Sequence, residues 1–198
     1  MMDSNLGLPP AEVVAGLSLE DADRIMGDLV MEEQRRVGYK MRAYFPETGP
    51  CRRSLYPKHM AFIAAGRTYR ERCFLAANQV GKTDLGAYET AAHLTGLYPD
   101  WWHGRVFTNA IRAWAAGDTA KTVKDILQVK LLGPPGQYGM GMLPSHTLKH
   151  ISHKPGNTGA VDQVWVRHVA GGISTLTLKC HPRACQILTE SGAFVPVC

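Results

Sequence analysis

The sequence predicts an α/β fold, and three features that follow one another along the chain carry this prediction. Residues 72–77 (RCFLAA) form a short apolar run of the length and character of a buried parallel strand. A tight loop, 78–83, comes next, and apolar side chains then recur at helical spacing over 84–94. Gly96 is placed to end this helix. Such a strand–loop–helix succession is the unit from which mostly parallel sheets flanked by helices are built.

The flanking elements are predicted from caps, breakers and alternation. Ser18 caps a helix that runs to about Arg36, and Asp21 stands three residues on, as in a capping box. Proline and glycine predict a loop over 44–57. The remaining expected elements are a helix after Pro57 that Gly66 closes, a strand within 105–116, a helix from about Asp118 to Leu131, a Gly/Pro loop over 133–141, and a hairpin of 161–169 with 173–179.

Length and charge limit the possibilities. The chain has 198 residues with 45% hydrophobic content, which suffices for one domain with a core. Its formal charge of +5 is mildly basic, which is compatible with a partner that carries phosphates. Five irregularly spaced cysteines, with no signal peptide and no membrane-spanning run, predict a cytoplasmic protein with reduced thiols and no membrane partner.

The loop between the predicted strand and helix matches most of a phosphate-binding pattern. Residues 76–83 read A-A-N-Q-V-G-K-T against G-x-x-x-x-G-K-[ST], so Ala76 replaces the first glycine. Backbone N–H groups of Ala77, Asn78, Gln79, Val80 and Gly81 are expected to bind phosphate at the start of the helix, Lys82 to reach the β- and γ-phosphates, and Thr83 to offer its hydroxyl to Mg²⁺. The alternative is a helix N-terminus that carries Gly-Lys-Thr on its solvated side.

Several segments together resemble one protein family. RCFLAANQVGKT, the following GAYETAAHLTGLYPDWWHGRVF and the preceding LYPKHMAFIAAG resemble the ATPase domain of large terminase subunits from tailed phages. So do AGDTAKTVKDILQVKLLG and DQVWVRHVAGGISTLTLK. The resemblance covers roughly 50–179, and the Y-P-D-W-W block makes it far more specific than the phosphate loop alone.

The resemblance implies a P-loop NTPase-type α/β domain that binds ATP and Mg²⁺ and hydrolyses ATP to move double-stranded DNA. It implies a homo-oligomeric ring at the portal protein, a small terminase subunit as partner, and action in the host cytoplasm. Lys82 and Thr83 would contact phosphate and magnesium, and Tyr56 and Pro57 would lie near the adenine. For Tyr56 the alternative is an ordinary packed aromatic. The implied domains are a helical lead-in, 1–43, a partial ATPase domain, 44–179, and an irregular tail, 180–198.

Three departures from the family pattern qualify this prediction. Asn78 and Gln79 stand where terminases commonly carry an arginine, although Arg70 and Arg72 are nearby in sequence. No apolar strand ends in Asp-Glu, and Glu190 is a poor candidate for the missing catalytic carboxylate. The nuclease carboxylates are absent. The fold is therefore expected to be incomplete at the C-terminus.

Three function hypotheses follow from these departures. The first is the ATP-binding portion of a packaging motor, and the second is a non-catalytic prophage remnant or interaction module. The third, a nucleotide kinase, is disfavoured by the Y-P-D-W-W block.

The tail and the aromatic residues allow further hypotheses. A shifted reading frame or a truncated gene would explain the abrupt change in character after Lys179. Zinc binding by the cysteines and His181 of the tail is a rival, although the spacing matches no common zinc pattern. Trp101 and Trp102 are expected to pack in the core or an interface, and the scattered histidines to be surface or packing residues.

Overall fold

The computed structural model divides the chain into two compact units, Met1–Arg36 and Val37–Cys198. The residues that it describes are 18, 20–21, 23–25, 40–49, 51–77, 79–180, 187–189 and 193–195. In the first unit the described residues from 20 to 25 are helical, and Ser18 Oγ accepts a hydrogen bond from the Asp21 backbone N–H at 3.2 Å. The predicted cap at Ser18 is thus confirmed, while the end of that helix near Arg36 lies outside the described residues.

The helices of the second unit begin and end where local chemistry favours it. Pro57 occupies the first turn of its helix, where its missing N–H costs nothing, and Gly96 ends the longest helix with φ of 73°. The predicted positions of these helices are confirmed. The elements are α1 (Lys40–Ala43), a 3₁₀ turn (Arg53–Leu55), α2 (Pro57–Ala65), α3 (Lys82–Thr95), and α4, which joins Ala120–Thr122, a π-helical stretch Val123–Gln128 and Val129–Leu132.

One mixed sheet runs through the second unit in the order β2-β3-β4-β1-β5-β6. Its strands are β1 (Arg112–Gly117), β2 (Leu148–His153), β3 (Val161–Arg167), β4 (Ile173–Cys180), β5 (Ile187–Thr189) and β6 (Ala193–Val195). Among these described strands β1 and β4 pair in parallel and the other four pairings are antiparallel. The α/β class is therefore confirmed, but the expectation of a mostly parallel sheet is wrong for this part of the chain.

The strand predicted at 72–77 is the clearest error. These residues are irregular, and Leu75 is 83% exposed rather than buried. The parallel partner that such a segment would need is unavailable at β1, because β4 and β5 already pair with its two sides. An apolar run alone does not reveal whether an edge remains free to receive it.

The hairpin of β3 and β4 was predicted correctly, whereas β2 was missed. Register shifts at Leu148/His150 and at Ser152/His153 break the alternation of β2, so the sequence lacks the two-residue period by which a strand is recognised. The expectation of an irregular tail is also wrong in part, since β5 and β6 lie within 180–198 and form an antiparallel pair.

The core lies between one face of the sheet and helices α3 and α4. Alternate residues of β1, β3 and β4 are buried on that face, and α3 packs against all three strands. Trp102 is only 9% exposed and Trp101 stacks on Tyr88 at 6.0 Å between ring centroids, which confirms the predicted packing role of the tryptophan pair. Within the described ranges no helix has the length and apolar character to cross a membrane.

Candidate functional site

Helix α3 begins at a backbone turn that only certain residues adopt readily. Gly81, its N-terminal cap, has φ of 80°, and Gln79 two residues earlier has φ of 62°. Both residues lie in the left-handed region of φ. Glycine adopts this region freely, whereas a residue with a side chain adopts it at an energetic cost. The turn delivers the chain into a helix of 14 residues, whose first N–H groups have no carbonyl partner within the helix. These donors and the helix dipole create a favourable position for an anion.

The Lys82 side chain folds back over the loop that precedes it. Its Nζ donates to the carbonyl oxygens of Ala76 at 2.6 Å and Ala77 at 3.0 Å. The ammonium group is therefore held at the loop by backbone acceptors. Lys82 Nζ thus lies beside the backbone of Ala76 and Ala77, and phosphate binding by this loop stays a prediction.

A second contact ties the loop to helix α2. His59 Nε2 lies 2.9 Å from the carbonyl oxygen of Val80, and since a carbonyl only accepts, Nε2 carries the proton in this contact. His59 is buried, and its ring packs edge-on against Phe74 at 5.2 Å between centroids. Sequence reasoning missed His59, because nothing in a helical spacing distinguishes it from a surface histidine.

Beside the loop lies a cavity of about 590 Å³, with mostly aromatic and apolar walls. Tyr56 lines it and also packs edge-on against Phe45 at 5.7 Å, so it is a packed aromatic, while its place near an adenine stays a prediction. Burial raises the pKa of Tyr44, and the Asp84 carboxylate raises it further, so the cavity wall keeps this phenol neutral. The lining residues are Ala43, Tyr44, Phe45, Cys51, Tyr56, His59, Gln79, Val80 and Gly81.

Arg72 does not stand in for the missing arginine of the loop. Its side chain is buried and forms an ion pair with Glu89 at 2.8 Å, where the two side chains are 5% and 0% exposed. A guanidinium engaged in this way cannot also reach a bound phosphate. Arg70 is exposed, and no contact of its side chain assigns it a role in the site.

Glu89 is the centre of a buried polar network that sequence reasoning missed. Burial by itself raises the pKa of this carboxyl, but the neighbouring His93 and Arg72 outweigh burial and hold its pKa below the usual range. His93 Nε2 lies 3.5 Å from Glu89 Oε1, and its Nδ1 contacts the Tyr98 hydroxyl at 3.0 Å. The four-residue spacing of Glu89 and His93 within a predicted helix was the available signal.

The structure describes only some of the remaining predicted residues. Thr83 lies half-buried in the first turn of α3. Asp84 pairs with Lys130 of α4 at 2.8 Å. Asn78, Glu190 and most of the predicted zinc ligands lie outside the described residues, and within them no cluster of His, Cys, Asp or Glu is suited to a metal ion.

Fold and site together define an α/β protein whose long helix starts at a left-handed glycine within a candidate phosphate-binding loop. The chain is 31% identical over 187 residues to "Terminase, large subunit" of Salmonella phage P22, an alignment that takes in 84% of this chain. It is therefore a terminase-related protein. It spans about a third, 36%, of the length of that curated relative. No protein-family model matches the chain, and no solved structure matches it significantly.

Proposed function

We propose that the chain is the ATP-binding portion of a viral large terminase, in which residues 76–83 bind the phosphates of Mg·ATP. The observation that carries this proposal is the convergence of three features on one loop: the left-handed Gly81, the free N–H groups at the start of α3, and Lys82 Nζ lying on the carbonyls of Ala76 and Ala77. Each is what binding of a polyphosphate requires, and the relationship to a large terminase subunit supports the combination.

The residues present fit a nucleotide and its magnesium ion. Phosphate oxygens would take the place of the Ala76 and Ala77 carbonyls at Lys82 Nζ. The ammonium group would then contact an anion instead of a carbonyl dipole, which makes a stronger hydrogen bond. Thr83 would offer its hydroxyl to Mg²⁺, which neutralises part of the negative charge of the phosphates when bound. The aromatic cavity next to the loop has the size and apolar lining that a nucleobase requires, and Tyr56 would face the base there.

Hydrolysis needs a carboxylate that the described part of the chain does not offer at α3. Asp84 is engaged with Lys130, and Glu89 is buried with Arg72. Neither is free to position an attacking water. This observation leaves the catalytic residue unassigned. The second candidate is a non-catalytic remnant or interaction module that keeps the fold without motor activity.

The partners follow from the terminase relationship. For the whole assembly we propose double-stranded DNA as the substrate that is moved, a portal protein and a small terminase subunit as partners, and a homo-oligomeric ring in the cytoplasm of the host cell. The net charge of +5 agrees with a function close to DNA, since it favours association with a polyanion.

A titration with a fluorescent ATP analogue in the presence of Mg²⁺ tests the proposed site. We expect saturable binding by the unmodified chain and its loss in Lys82→Ala. Lys149→Ala, which removes an exposed lysine from β2, is the matched control and should bind as the unmodified chain does. No binding by a chain that is folded by circular dichroism would contradict the proposal. That outcome would favour the second candidate, the remnant or interaction module.

A further inference from the structure

Arg72 turns inward from a segment in which Cys73 and residues 75–77 face solvent, while Phe74 packs against Phe62 and His59. It is 8% exposed, whereas Leu75 is 83% exposed and Cys73 is also exposed. A charged residue is almost never buried unless it is fully paired, so the inward orientation of Arg72 requires an explanation.

The guanidinium of Arg72 joins helices α2 and α3. Its Nη1 donates to the carbonyl oxygen of Phe62 in α2 at 2.7 Å, and its Nη2 donates to Glu89 Oε1 in α3 at 2.8 Å. The guanidinium also lies over the Phe62 ring, 4.5 Å from the centroid. Gly66 leaves the necessary space, because a Cβ there would lie 2.8 Å from the guanidinium carbon.

Glu89 is on the same helix as Lys82 but two turns further on. Seven residues correspond to about 10 Å along a helix, so the ion pair does not touch a ligand at the start of α3. It does connect that helix to the segment that enters the phosphate loop, since only a few residues separate Arg72 from Ala76. Any effect of the pair on the ligand is therefore exerted through the loop.

We propose that Arg72 and Glu89 are positioning residues that hold the entry of the phosphate loop against α3 when a nucleotide is bound; this inference rests on the proposed function of the loop. Residues 72–77 lack the strand pairing that would otherwise fix them. The bonds from Lys82 to Ala76 and Ala77 fix them in this structure, but Lys82 would give up these bonds to bind phosphate. The Arg72–Glu89 pair is a tie that does not depend on Lys82.

The first experiment compares Arg72→Met with a control of similar destabilisation, Leu143→Ala, in which a fully buried leucine after α4 is truncated. For Arg72→Met we expect the dissociation constant of a fluorescent Mg·ATP analogue to rise at least about tenfold, because small displacements of binding groups have effects of this order. Leu143→Ala should lower the melting temperature and leave nucleotide binding unchanged. Arg72→Lys keeps the positive charge but cannot bond to Phe62 and Glu89 at the same time as the guanidinium does. Its dissociation constant should therefore lie between those of the unmodified chain and Arg72→Met.

A nitroxide spin label on Cys73 reports the position of the loop entry without any nucleotide when Lys82 is also replaced by alanine, because this replacement removes the bonds to Ala76 and Ala77. The label is attached to a chain in which Cys51, Cys180, Cys185 and Cys198 are serine. Its mobility should increase in Arg72→Met and not in Leu143→Ala.

The two readouts separate the possible outcomes. Equal label mobility and equal nucleotide affinity in Arg72→Met and Leu143→Ala would overturn the inference and make the pair merely structural. If the unmodified chain binds no nucleotide, the proposed function fails, yet the label still decides whether the pair positions the loop. If Arg72→Met does not fold, Arg72→Lys and Glu89→Gln are compared with Leu143→Ala in its place.

Discussion

At the scale of single residues, Gly81 and Lys82 contribute to the candidate site in different ways, one through its backbone and the other through its charge. Gly81 is needed because φ is 80°, while the space for a Cβ there is adequate, with His59 Nε2 at 3.6 Å. Lys82 is needed for its ammonium group, which the loop carbonyls hold in place. The sequence pattern identified both, since the Gly-Lys-Thr motif encodes this local chemistry.

The backbone requirement at Gly81 leads to a prediction. Gly81→Ala should lower the free energy of unfolding by about 1–2 kcal/mol, the cost of a left-handed conformation for an L-residue, and should also weaken nucleotide binding. Gly156→Ala is the matched control, because Gly156 has φ of 71° with nothing near its Cβ position and lies in a distant turn. Urea denaturation and the fluorescent titration check both variants. Equal nucleotide affinity in the two would contradict the role of Gly81 in the loop.

The buried carboxyl of Glu89 gives a prediction about pH. A carboxyl whose pKa is lowered in the folded state contributes stability that is present above the unfolded value of about 4.3 and is lost as the pH falls through the folded value. Glu89→Gln removes that contribution and leaves Arg72 without its counter-charge, which costs about 3–5 kcal/mol at neutral pH.

We therefore expect the difference in unfolding free energy between the unmodified chain and Glu89→Gln to narrow as the solution is acidified below about pH 4. Urea denaturation at a series of pH values measures this difference in unfolding free energy. Asp84→Asn is the control, since its carboxylate is partly exposed beside Lys130 and should have a much smaller effect. A difference that stays constant with pH would show that Glu89 contributes nothing through its charge.

At the scale of elements, capping residues and helix breakers predicted the helix positions correctly, because their effect depends on residues that are close in sequence. Thr119 illustrates this: its hydroxyl accepts a hydrogen bond from the Thr122 backbone N–H at 3.1 Å and so starts α4. Strands depended on partners far away in sequence, and this is why 72–77 was assigned wrongly while β2 was overlooked. The β3–β4 hairpin was the exception, since its turn residues Gly171 and Gly172 adopt positive φ and fix the pairing locally.

The cap at Thr119 can be tested directly. Thr119→Ala should lower the free energy of unfolding by about 1 kcal/mol through loss of the capping bond, whereas Thr119→Ser retains the acceptor and should be close to neutral. Thermal denaturation followed by circular dichroism measures both. Equal destabilisation by serine and alanine would indicate that the methyl group, not the hydroxyl, stabilises the start of α4.

At the scale of the whole molecule, the described sheet ends in β2 on one side and β6 on the other, and each has one edge without a pairing strand among the described residues. Such edges, together with exposed apolar side chains, favour self-association. Leu75 is the most exposed of the large apolar residues described.

We expect the chain to elute from size exclusion as a concentration-dependent mixture of species. Leu75→Ser should shift this mixture towards the monomer without changing the melting temperature, because the side chain makes little contact with the core. A monodisperse monomer at all concentrations would contradict the expectation.

The sequence by itself determined the phosphate-loop pattern at 76–83, the helices on either side of it, the hairpin and the resemblance to large terminases. All of these depend on residues close together in the chain, whose chemistry is local. Only the tertiary structure decided that Tyr56 shares a cavity with Gly81, that His59 contacts Val80, and that Arg72 is committed to Glu89. These contacts join residues that are far apart in sequence, and they form only when the helices pack and exclude water from the charges between them.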